Sequence, residues 1–369
     1  MEAIRVLHVI KGLGRGGAER LLVSTIREHG KGYAFTVVYF LPWKNQLVED
    51  LRAIGCRVEC LPARGVAGML MRLPGLYRLM RDGRFQLVHA HLPWSGIVAR
   101  MAARLAGIPL VYTEHNLVSR YRLPTRWMNK LTFGWQAAVV AVSDKAAGEL
   151  HHHYRSMVKV QVIPNGVDVG RLPKASEHRV QFRTKFGIPE DAVVIGTVAV
   201  FTRQKRIDRW IRISRRLSMH PDLYFIIVGD GLLRGELEQQ AADLVASGKL
   251  RFTGLSAVPE EWMACMDVFL STSDYEGLPV ALLEAMGIGC VPVVTAVGGV
   301  PTVVRDAVNG FLYQPEEEEK AGDIILSLAT DATRRQQLGF AARKTIESEF
   351  RIRRMVESLE KVYKYVMAG

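Results

Sequence analysis

Short apolar runs alternate with amphipathic stretches along the chain, and this alternation restricts the folds that it can adopt. Six runs in the first half predict buried strands: AIRVLHVI, FTVVYFL, CRVECL, LVHAHL, LVYTEH and AAVVAVS. The stretches between them, such as AERLLVSTIREHG and SGIVARMAARLAG, carry apolar residues at helical spacing. Strands that are apolar throughout and separated by helices are typical of a parallel sheet covered on both faces.

The same alternation begins again in the second half, with the runs VVIGTVAVF, LYFIIVGDG, LRFTGL, DVFLSTS and CVPVVT. Turn residues without a clear period fill the region between the halves and predict a link near residues 164–180. A chain of 369 residues is long enough for two domains. The sequence therefore predicts an α/β protein with two doubly wound domains, in which ligands bind beyond the carboxyl ends of the strands.

The net charge of +12 lies entirely in residues 1–170, which hold 23 Lys and Arg against 11 Asp and Glu. A basic half of this kind indicates an anionic partner, such as a phosphate, an acidic lipid or a nucleic acid. The four cysteines follow no zinc or redox spacing and are expected to be free thiols in a reducing compartment. Neither a signal peptide nor a membrane-spanning helix is expected, because the first apolar run is short and glycine and proline interrupt the run 286–304.

Glycines follow the first predicted strand in KGLGRGGAERLL, where Gly12, Gly14 and Gly17 have the spacing of a dinucleotide fingerprint. The second predicted strand ends without the acidic residue that would hold the ribose of a dinucleotide. The pattern therefore favours an anion-binding loop at the start of a helix, and a plain glycine turn remains an alternative.

Histidines lie at two predicted strand ends, His89 and His91 in LVHAHL and His115 in LVYTEH. Each could donate a hydrogen bond to a hydroxyl or a phosphate, and for each alone a structural role is the simpler interpretation. The chain contains no Asp-x-Asp pair, which would be the usual carboxylate clamp for a divalent metal on a nucleoside diphosphate.

Three cations, Arg203, Lys205 and Arg206, lie at a predicted strand-to-helix junction in the second half. Cations in this place suit a diphosphate, and a solvated basic turn is the alternative.

Two glutamates, Glu276 and Glu284, bracket an apolar stretch in DYEGLPVALLEAMG. Proline suits the first turn of a helix, so we predict a helix over Pro279–Met286 with the amides of Gly277 and Leu278 near its start. Eight helical positions rise about 12 Å, whereas the carboxylates of a retaining hydrolase are about 5 Å apart. The pair therefore favours two hydroxyl-binding carboxylates on either side of a phosphate site.

The ordered set of motifs resembles the retaining GT-B glycosyltransferases of family 4. The stretch from Glu276 to Glu284 is similar to the family's signature, and further similar stretches are LHVIKGLGRGGAERLL, LVHAHL, VYTEHN, AVVAVSD, VIPNGVD, QKRID, IVGDGLLRGELE, FTG, VGGVP and VNGFLY. The resemblance implies two Rossmann-like domains facing a central cleft, with residues 1–167 on the acceptor side and residues 168–350 binding the nucleotide sugar. It also implies that a helix over 351–369 returns to the first domain.

The resemblance implies a catalytic set of Lys205, Glu276 and His115, with His115 contacting the donor sugar. It places Gly16 and Gly17 near the donor phosphates. It also implies that the anomeric configuration is retained and that neither a metal nor a cofactor is needed besides the nucleotide-diphosphate sugar.

The remaining donor contacts implied by the resemblance lie in the second half. Lys205, helped by Arg203, would hold the diphosphate. Glu276 would bind sugar hydroxyls beside the amides of Gly277–Leu278, and Glu284 would bind the ribose.

The chain departs from the family pattern at three positions. Val200 stands where an arginine is common, Arg206 replaces a common glycine, and Thr302 replaces a frequent glutamate. The donor contacts made from these positions in the family are therefore in question here.

The expected function is transfer of a sugar from a nucleotide-diphosphate sugar to an acceptor hydroxyl in cell-envelope, polysaccharide or glycolipid synthesis. Two alternatives are a sugar-nucleotide epimerase and a non-catalytic sugar-nucleotide-binding partner of another transferase. A nucleic-acid-binding module would explain the charge but not Glu276 and Glu284, so no nucleic-acid partner is expected.

Two basic, amphipathic stretches in the first half, 69–85 and 119–135, could dock on an anionic membrane and collect a lipid-linked acceptor. In the alternative, their apolar residues pack inward and their arginines face water. The expected location is the cytoplasm, with attachment to the inner face of the membrane left open.

Overall fold

The computed structural model describes residues 3–368 except 155–157, 174–178, 181 and 185. The chain divides into two compact units. The first unit comprises Met1–Gly166 and Ile352–Gly369, and the second comprises Val167–Arg351.

The first unit is a parallel sheet with helices between its strands. Its strands are β1 Ile4–Ile10, β2 Tyr33–Tyr39, β3 Arg57–Cys60, β4 Leu87–His91, β5 Leu110–Glu114, β6 Ala138–Ala141 and β7 Lys159–Val162. Its helices, numbered in chain order, are α1 Gly17–Glu28, α2 Val48–Ala53, α3 Gly65–Met71, α4 Leu73–Asp82, α5 Pro93–Ala106, α6 Leu123–Thr132, α7 Asp144–Tyr154 and α16 Ile352–Ala368. The spatial order is β3-β2-β1-β4-β5-β6-β7, so the order reverses beside β1.

The second unit repeats this plan. Its strands are β8 Val193–Val198, β9 Leu223–Val228, β10 Leu250–Gly254, β11 Val268–Ser271, β12 Val291–Thr295 and β13 Phe311–Tyr313. Its helices in the described residues are α8 Ile207–Leu217, α9 Arg234–Gln240, α10 Ala242–Ala246, α11 Pro259–Met263, α12 Val280–Ile288, α13 Val300–Val303, α14 Glu318–Thr330 and α15 Ala332–Glu349. The order β10-β9-β8-β11-β12-β13 reverses between β8 and β11.

The strands pair in parallel, and every residue of β4, β5 and β12 is buried. Burial on both faces explains why these strands are apolar at nearly every position rather than at alternate ones. The predicted class, α/β with two Rossmann-like doubly wound sheets, is confirmed.

Two short strands, β7 and β13, were not predicted from the sequence. β7 lies at the sheet edge, where partly exposed residues carry no continuous apolar pattern, and β13 has three residues. The basic stretch 69–85 forms the end of α3 and then α4, because the helix is interrupted at Arg72. The helix predicted from Pro279 begins one residue later, and Pro279 is its extended N-cap.

The last helix, α16, packs against α1 and β5 within the first unit. Among the described residues, no helix combines the length and the hydropathy that would be needed to cross a bilayer.

Candidate functional site

The candidate site in the second unit lies where the strand order reverses, between the loops that follow β8 and β11. A 3₁₀ turn over Arg203–Lys205 follows β8, and Glu276 lies on the loop after β11. The Lys205 ammonium donates to the Glu276 carboxylate, with Nζ 2.6 Å from Oε1. The Glu276 side chain is buried and that of Lys205 is one quarter exposed. The structure thus brings together two residues that the sequence placed 71 positions apart.

Hydrogen bonds to the backbone join the same two loops. The Asp274 amide donates to the Gln204 carbonyl at 3.0 Å, and the Gln204 side-chain amide donates to the Tyr275 carbonyl at 2.8 Å. The Thr272 hydroxyl donates to the Lys205 carbonyl at 3.0 Å. Because both backbones are fixed, the separation of Lys205 and Glu276 does not depend on one ion pair alone.

Arg206 has a left-handed backbone, with φ 48° and ψ 47°. This conformation favours glycine, which gives a physical reason for the glycine that the family resemblance leads one to expect at this position. The Arg206 guanidinium forms ion pairs with Asp208 at 2.9 Å and with Asp274 at 3.3 Å. Arg206 therefore helps to hold the turn that carries Lys205.

The site pocket contains about 310 Å³ of empty space at the carboxyl ends of the strands. The residues that line it are Thr197, Val198, Ala199, Lys205, Ile207, Phe269, Ser271, Thr272, Ser273, Glu276, Pro279 and Ala281. Arg203 is exposed on the same turn and lies outside this lining, as does Val200, whose surface is 44% exposed.

The predicted donor contacts beside Glu276 lie where the chain enters α12. Gly277 and Leu278 are buried on the loop just before the helix, and Glu284 is half-buried within the helix. Glu284 lies outside the lining of the pocket that contains Lys205 and Glu276.

A glycine loop after β12 packs against the backbone of Glu276 and Gly277. Gly298 has φ +57°, and a Cβ added there would lie 1.7 Å from the Glu276 carbonyl oxygen. The Gly299 amide donates to the Gly277 carbonyl at 2.6 Å. Thr302 donates its hydroxyl to the Gly299 carbonyl, also at 2.6 Å, and so closes the turn of its own loop. The sequence showed this loop only as the motif VGGVP, and its contact with Glu276 required the structure.

The first unit also has a loop at its strand-order reversal. The loop follows β1, Gly16 is the N-cap of α1, and Gly17 is the first helical residue. A Cβ at Gly12 would lie 2.9 Å from the Lys44 Cβ, so the loop passes close to its neighbour. Gly16, Gly17 and His115 all belong to this unit.

Three histidines from three neighbouring strands form a chain of ring contacts in the first unit. The Nδ1 atom of His8 on β1 lies 2.9 Å from the Nε2 atom of His91 on β4. The Nδ1 atom of His91 lies 3.3 Å from the Nε2 atom of His115, which directly follows β5. The sequence analysis identified His91 and His115 but missed His8, which lies in the middle of an apolar strand.

The positions of the ring hydrogens in the three-histidine chain follow from His8, which is its buried end. The Nε2 atom of His8 has no hydrogen-bond partner among the described residues. A buried N–H without an acceptor is rarer than an unpaired lone pair, so the His8 hydrogen is expected on Nδ1. His8 then donates to His91, His91 donates to His115, and His115 carries its hydrogen on Nδ1. Burial keeps the rings neutral, because it lowers the pKa of His8 to about 3 and that of His115 to about 4.

A metal could be held by His8, His89 and His91, whose ligating atoms lie within 4.8 Å of one another. Both ring nitrogens of His89 are already engaged, with the Tyr363 hydroxyl at 2.6 Å and the Thr113 hydroxyl at 2.7 Å. Because an imidazole ligates a metal through one nitrogen, metal binding would require His89 to give up one of these buried hydrogen bonds. The arrangement fits a hydrogen-bonded network better than a metal centre.

Glu114, at the end of β5 beside His115, was not singled out from the sequence. Its carboxylate accepts hydrogen bonds from the Tyr112 hydroxyl at 3.2 Å, the Asn116 amide at 3.1 Å and the Tyr121 hydroxyl. Burial outweighs these bonds and raises the pKa of Glu114 to about 7.

A second pocket lies in the first unit, beside the histidine chain, with about 370 Å³ of empty space. Its lining includes His89, His91 and His115 together with apolar residues of α1 and α16.

Two family profiles of glycosyltransferases match the chain. The profile of the family described as Glycosyltransferase Family 4 matches residues 15–171, and that of Glycosyl transferases group 1 matches residues 179–345. A similar protein is the putative glycosyltransferase EpsF of Bacillus subtilis, 28% identical over 328 residues, which are 83% of this chain and 80% of the relative. Another is the UDP-Gal:alpha-D-GlcNAc-diphosphoundecaprenol alpha-1,3-galactosyltransferase of Escherichia coli, 27% identical over 336 residues, 87% of this chain and 86% of the relative.

The fold is similar to that of Alr3699/HepE of Anabaena, whose crystal structure contains UDP-glucose. The TM-score is 0.87 at 20% identity, over 98% of this chain and 100% of the other. Two Rossmann-like units with these strand orders correspond to the GT-B fold. Because the two profiles together match most of its length, the chain belongs to the group 1, family 4 glycosyltransferases, and it is a transferase.

Proposed function

We propose that this transferase moves a sugar from a nucleoside diphosphate sugar to an acceptor hydroxyl, with retention of the anomeric configuration. The observation that carries the proposal is the contact between Lys205 and Glu276 in a pocket at the reversal of strand order. A cation for a diphosphate and a carboxylate for sugar hydroxyls are the two groups that such a donor requires. The similar proteins include one that is named for UDP-galactose and one crystallised with UDP-glucose.

In this proposal Lys205 acts on the leaving group. Negative charge grows on the diphosphate as the anomeric bond breaks, and a positioned ammonium stabilises that charge. Lys205 is paired with Glu276, and on donor binding the diphosphate would take over the ammonium while Glu276 turns to the sugar hydroxyls. Amides of Gly277–Leu278 at the start of α12 would add donors for the phosphates.

The other predicted roles belong to the same proposal. Glu284 would bind the ribose, Arg203 would supply a second charge to the diphosphate, and His115 would donate from Nδ1 to the transferred sugar. Gly16 and Gly17 would present amides at the start of α1. Because the chain lacks Asp-x-Asp, cationic side chains rather than a divalent metal would neutralise the diphosphate.

The acceptor and the pathway are inferred from the names of similar proteins. One acts on a sugar linked to diphosphoundecaprenol, and another, 35% identical over 43% of this chain, is a Vi polysaccharide biosynthesis protein. We therefore infer a lipid-linked acceptor in polysaccharide or cell-envelope synthesis. The enzyme would act in the cytoplasm as a peripheral protein on the inner face of the membrane.

The test combines donor binding with turnover. Among UDP, GDP and ADP sugars, at least one should raise the melting temperature, and the same donor should be hydrolysed slowly without acceptor. Lys205→Ala should lower turnover by about 10²–10³-fold while the protein stays folded, because one charge-stabilising group is lost.

Lys320→Ala is the matched control, since Lys320 is a half-exposed lysine paired with Glu317 on the surface of the same unit. Its turnover should equal that of the wild type. Undiminished turnover in Lys205→Ala would remove the proposed role, and a lack of response to all three donors would remove the donor class.

A further inference from the structure

Helix α6 has its polar side inside and its apolar side outside. Thr125, Asn129 and Thr132 are buried, with 9%, 2% and 2% of their surfaces exposed. Leu123, Trp127 and Leu131, spaced four residues apart, are 77%, 62% and 52% exposed. Surface helices normally bury the apolar stripe, so this orientation is the reverse of the usual one. We define Leu123, Trp127 and Leu131 as the outer face of α6.

Packing beneath the helix fixes this orientation. Arg100 on α5 is fully buried, and its guanidinium donates to the side-chain oxygen of Asn129. The indole N–H of Trp94 donates to the Thr125 hydroxyl at 3.1 Å. Burying polar groups without partners is unfavourable, so α6 cannot turn its apolar side inward without costing Arg100 its side-chain partner Asn129 and leaving only the bond from its Nε to the Gly96 carbonyl at 3.1 Å.

Basic residues flank the outer face of α6 in the sequence. Residues 115–143 contain four basic residues, Arg120, Arg122, Arg126 and Lys130, and no acidic residue. On the adjacent surface, the guanidinium of Arg104 lies over the ring of Trp135, 4.9 Å from its centre. Trp135 is 39% exposed, and it extends the apolar surface beyond the end of α6.

The other basic stretch of the first unit is built differently. On α4, Leu76 and Met80 are fully buried and the arginines Arg78 and Arg81 are exposed. This is the usual amphipathic arrangement. The sequence pattern treated the stretches 69–85 and 119–135 alike, and the structure shows that only the second exposes its apolar side.

We propose that the outer face of α6 inserts into the interface of an anionic lipid bilayer, with its cations at the level of the phosphates. Tryptophan and leucine beside arginine and lysine match the composition of interfacial helices. A second copy of the chain fits less well, since a two-fold dimer through this face would bring like charges together. The inference rests on the proposed function only in that a lipid-linked acceptor explains why the enzyme binds a membrane.

The experiment is vesicle sedimentation with the full chain. Wild-type protein should bind vesicles of phosphatidylglycerol and phosphatidylcholine at low salt, and bind much less to phosphatidylcholine alone or at high salt. Trp127→Glu should weaken binding by about tenfold or more, because it places an unpaired charge among head groups of the same sign. Met71→Glu and Met219→Glu should bind as the wild type does, since these exposed methionines lie outside the outer face of α6.

Two further measurements keep the test decisive. Lys205→Ala should bind vesicles normally, so a failure of the proposed chemistry is separable from a failure of membrane docking. The melting temperature of Trp127→Glu should equal that of the wild type, because Trp127 is exposed. Equal vesicle binding by Trp127→Glu and wild type would overturn the proposal. A dimer in sedimentation equilibrium that Trp127→Glu converts to a monomer would overturn it as well.

Discussion

Single residues with unusual backbone geometry hold the candidate donor site in place. Arg206 occupies a left-handed position before α8, where two carboxylates hold its side chain. Gly298 also has positive φ and approaches the Glu276 carbonyl so closely that no side chain fits. Strained positions are tolerated where the surrounding structure fixes them, which is common at functional sites.

Gly298→Ala should therefore damage both stability and donor binding. The new Cβ would meet the Glu276 carbonyl oxygen at 1.7 Å, and the loop that carries Glu276 must move. We expect the free energy of unfolding to fall by at least about 1–2 kcal/mol and the donor-induced rise in melting temperature to disappear. Chemical denaturation and thermal shift with the nucleotide sugar measure the two effects.

Gly235→Ala is the control, because Gly235 lies in α9 at negative φ with no atom within 4 Å of an added Cβ. It should be neutral or slightly stabilising, as alanine favours a helix. Full stability of Gly298→Ala together with normal donor binding would contradict the role of this loop.

Neighbouring strands bring together side chains that are far apart in sequence. His8 pairs with His89 in the register of β1 and β4, and His91 lies two residues further on the same face. Parallel strands thus align the three-histidine chain from the interior of the sheet to its carboxyl edge. The alignment fixes which nitrogen His115 presents beyond that edge.

Nitrogen-15 NMR of histidine-labelled protein at pH 7 tests the hydrogen positions in the three-histidine chain. We expect His8, His91 and His115 to be neutral with hydrogen on Nδ1, because the Nε2 atom of His8, for which the described part of the chain offers no partner, sets the direction of donation. His8→Phe, which removes that anchor, should leave His91 and His115 as a mixture of tautomers. Hydrogen on Nε2 of His115 in the wild-type protein would reverse the inferred direction.

At the scale of the whole molecule, titratable groups are distributed unequally between the two units. Burial lowers the pKa of six histidines among the described residues of the first unit, which are His8, His29, His89, His91, His115 and the less deeply buried His153. In the second unit, the one histidine within the described residues, His220, is exposed. The two units should therefore respond differently to acid.

Acid should destabilise the first unit before the second. A histidine kept neutral by folding contributes stability that is complete above its unfolded pKa of about 6.5 and is lost as pH falls, because the unfolded chain binds the proton. Between pH 6.5 and 4.5 this loss is up to about 2–3 kcal/mol for each histidine. Glu114 and Glu19 act in the opposite sense, since burial raises the pKa of both carboxyl groups and so adds stability as pH falls toward 4.5, but they are two groups against five deeply buried histidines.

Hydrogen exchange measured by mass spectrometry at pH 7, 5.5 and 4.5, corrected for the intrinsic exchange rate, reports each unit separately. Peptides of β1, β4 and β5 should lose protection at a higher pH than those of β8, β11 and β12. Glu114→Gln removes one of the two opposing titrations and should make the loss in the first unit steeper. Simultaneous loss of protection in both units would contradict the prediction.

Prediction from sequence succeeded where the signal is local. The alternation of apolar runs and amphipathic stretches predicted the central strands of both sheets, and AERLLVSTIREHG and SGIVARMAARLAG predicted α1 and α5, because burial and period act over a few residues. The same reasoning missed β7, which lacks a continuous apolar run, and β13, which is apolar but has only three residues. Local patterns could not predict the orientation of α6 either, since Arg100, the partner of Asn129, lies 29 positions away on α5.

The sequence by itself determined two doubly wound α/β units and the family of transferases. It also determined a glycine loop after the first strand of the first half and a basic turn after the first strand of the second half. Only the tertiary structure decided that Lys205 touches Glu276, that Gly298 supports that loop, and that His8 completes a chain to His115. It also decided which side of α6 faces water. The reason is that local patterns fix which elements form, whereas contacts between distant residues depend on how the sheet orders its strands and on which buried groups require partners.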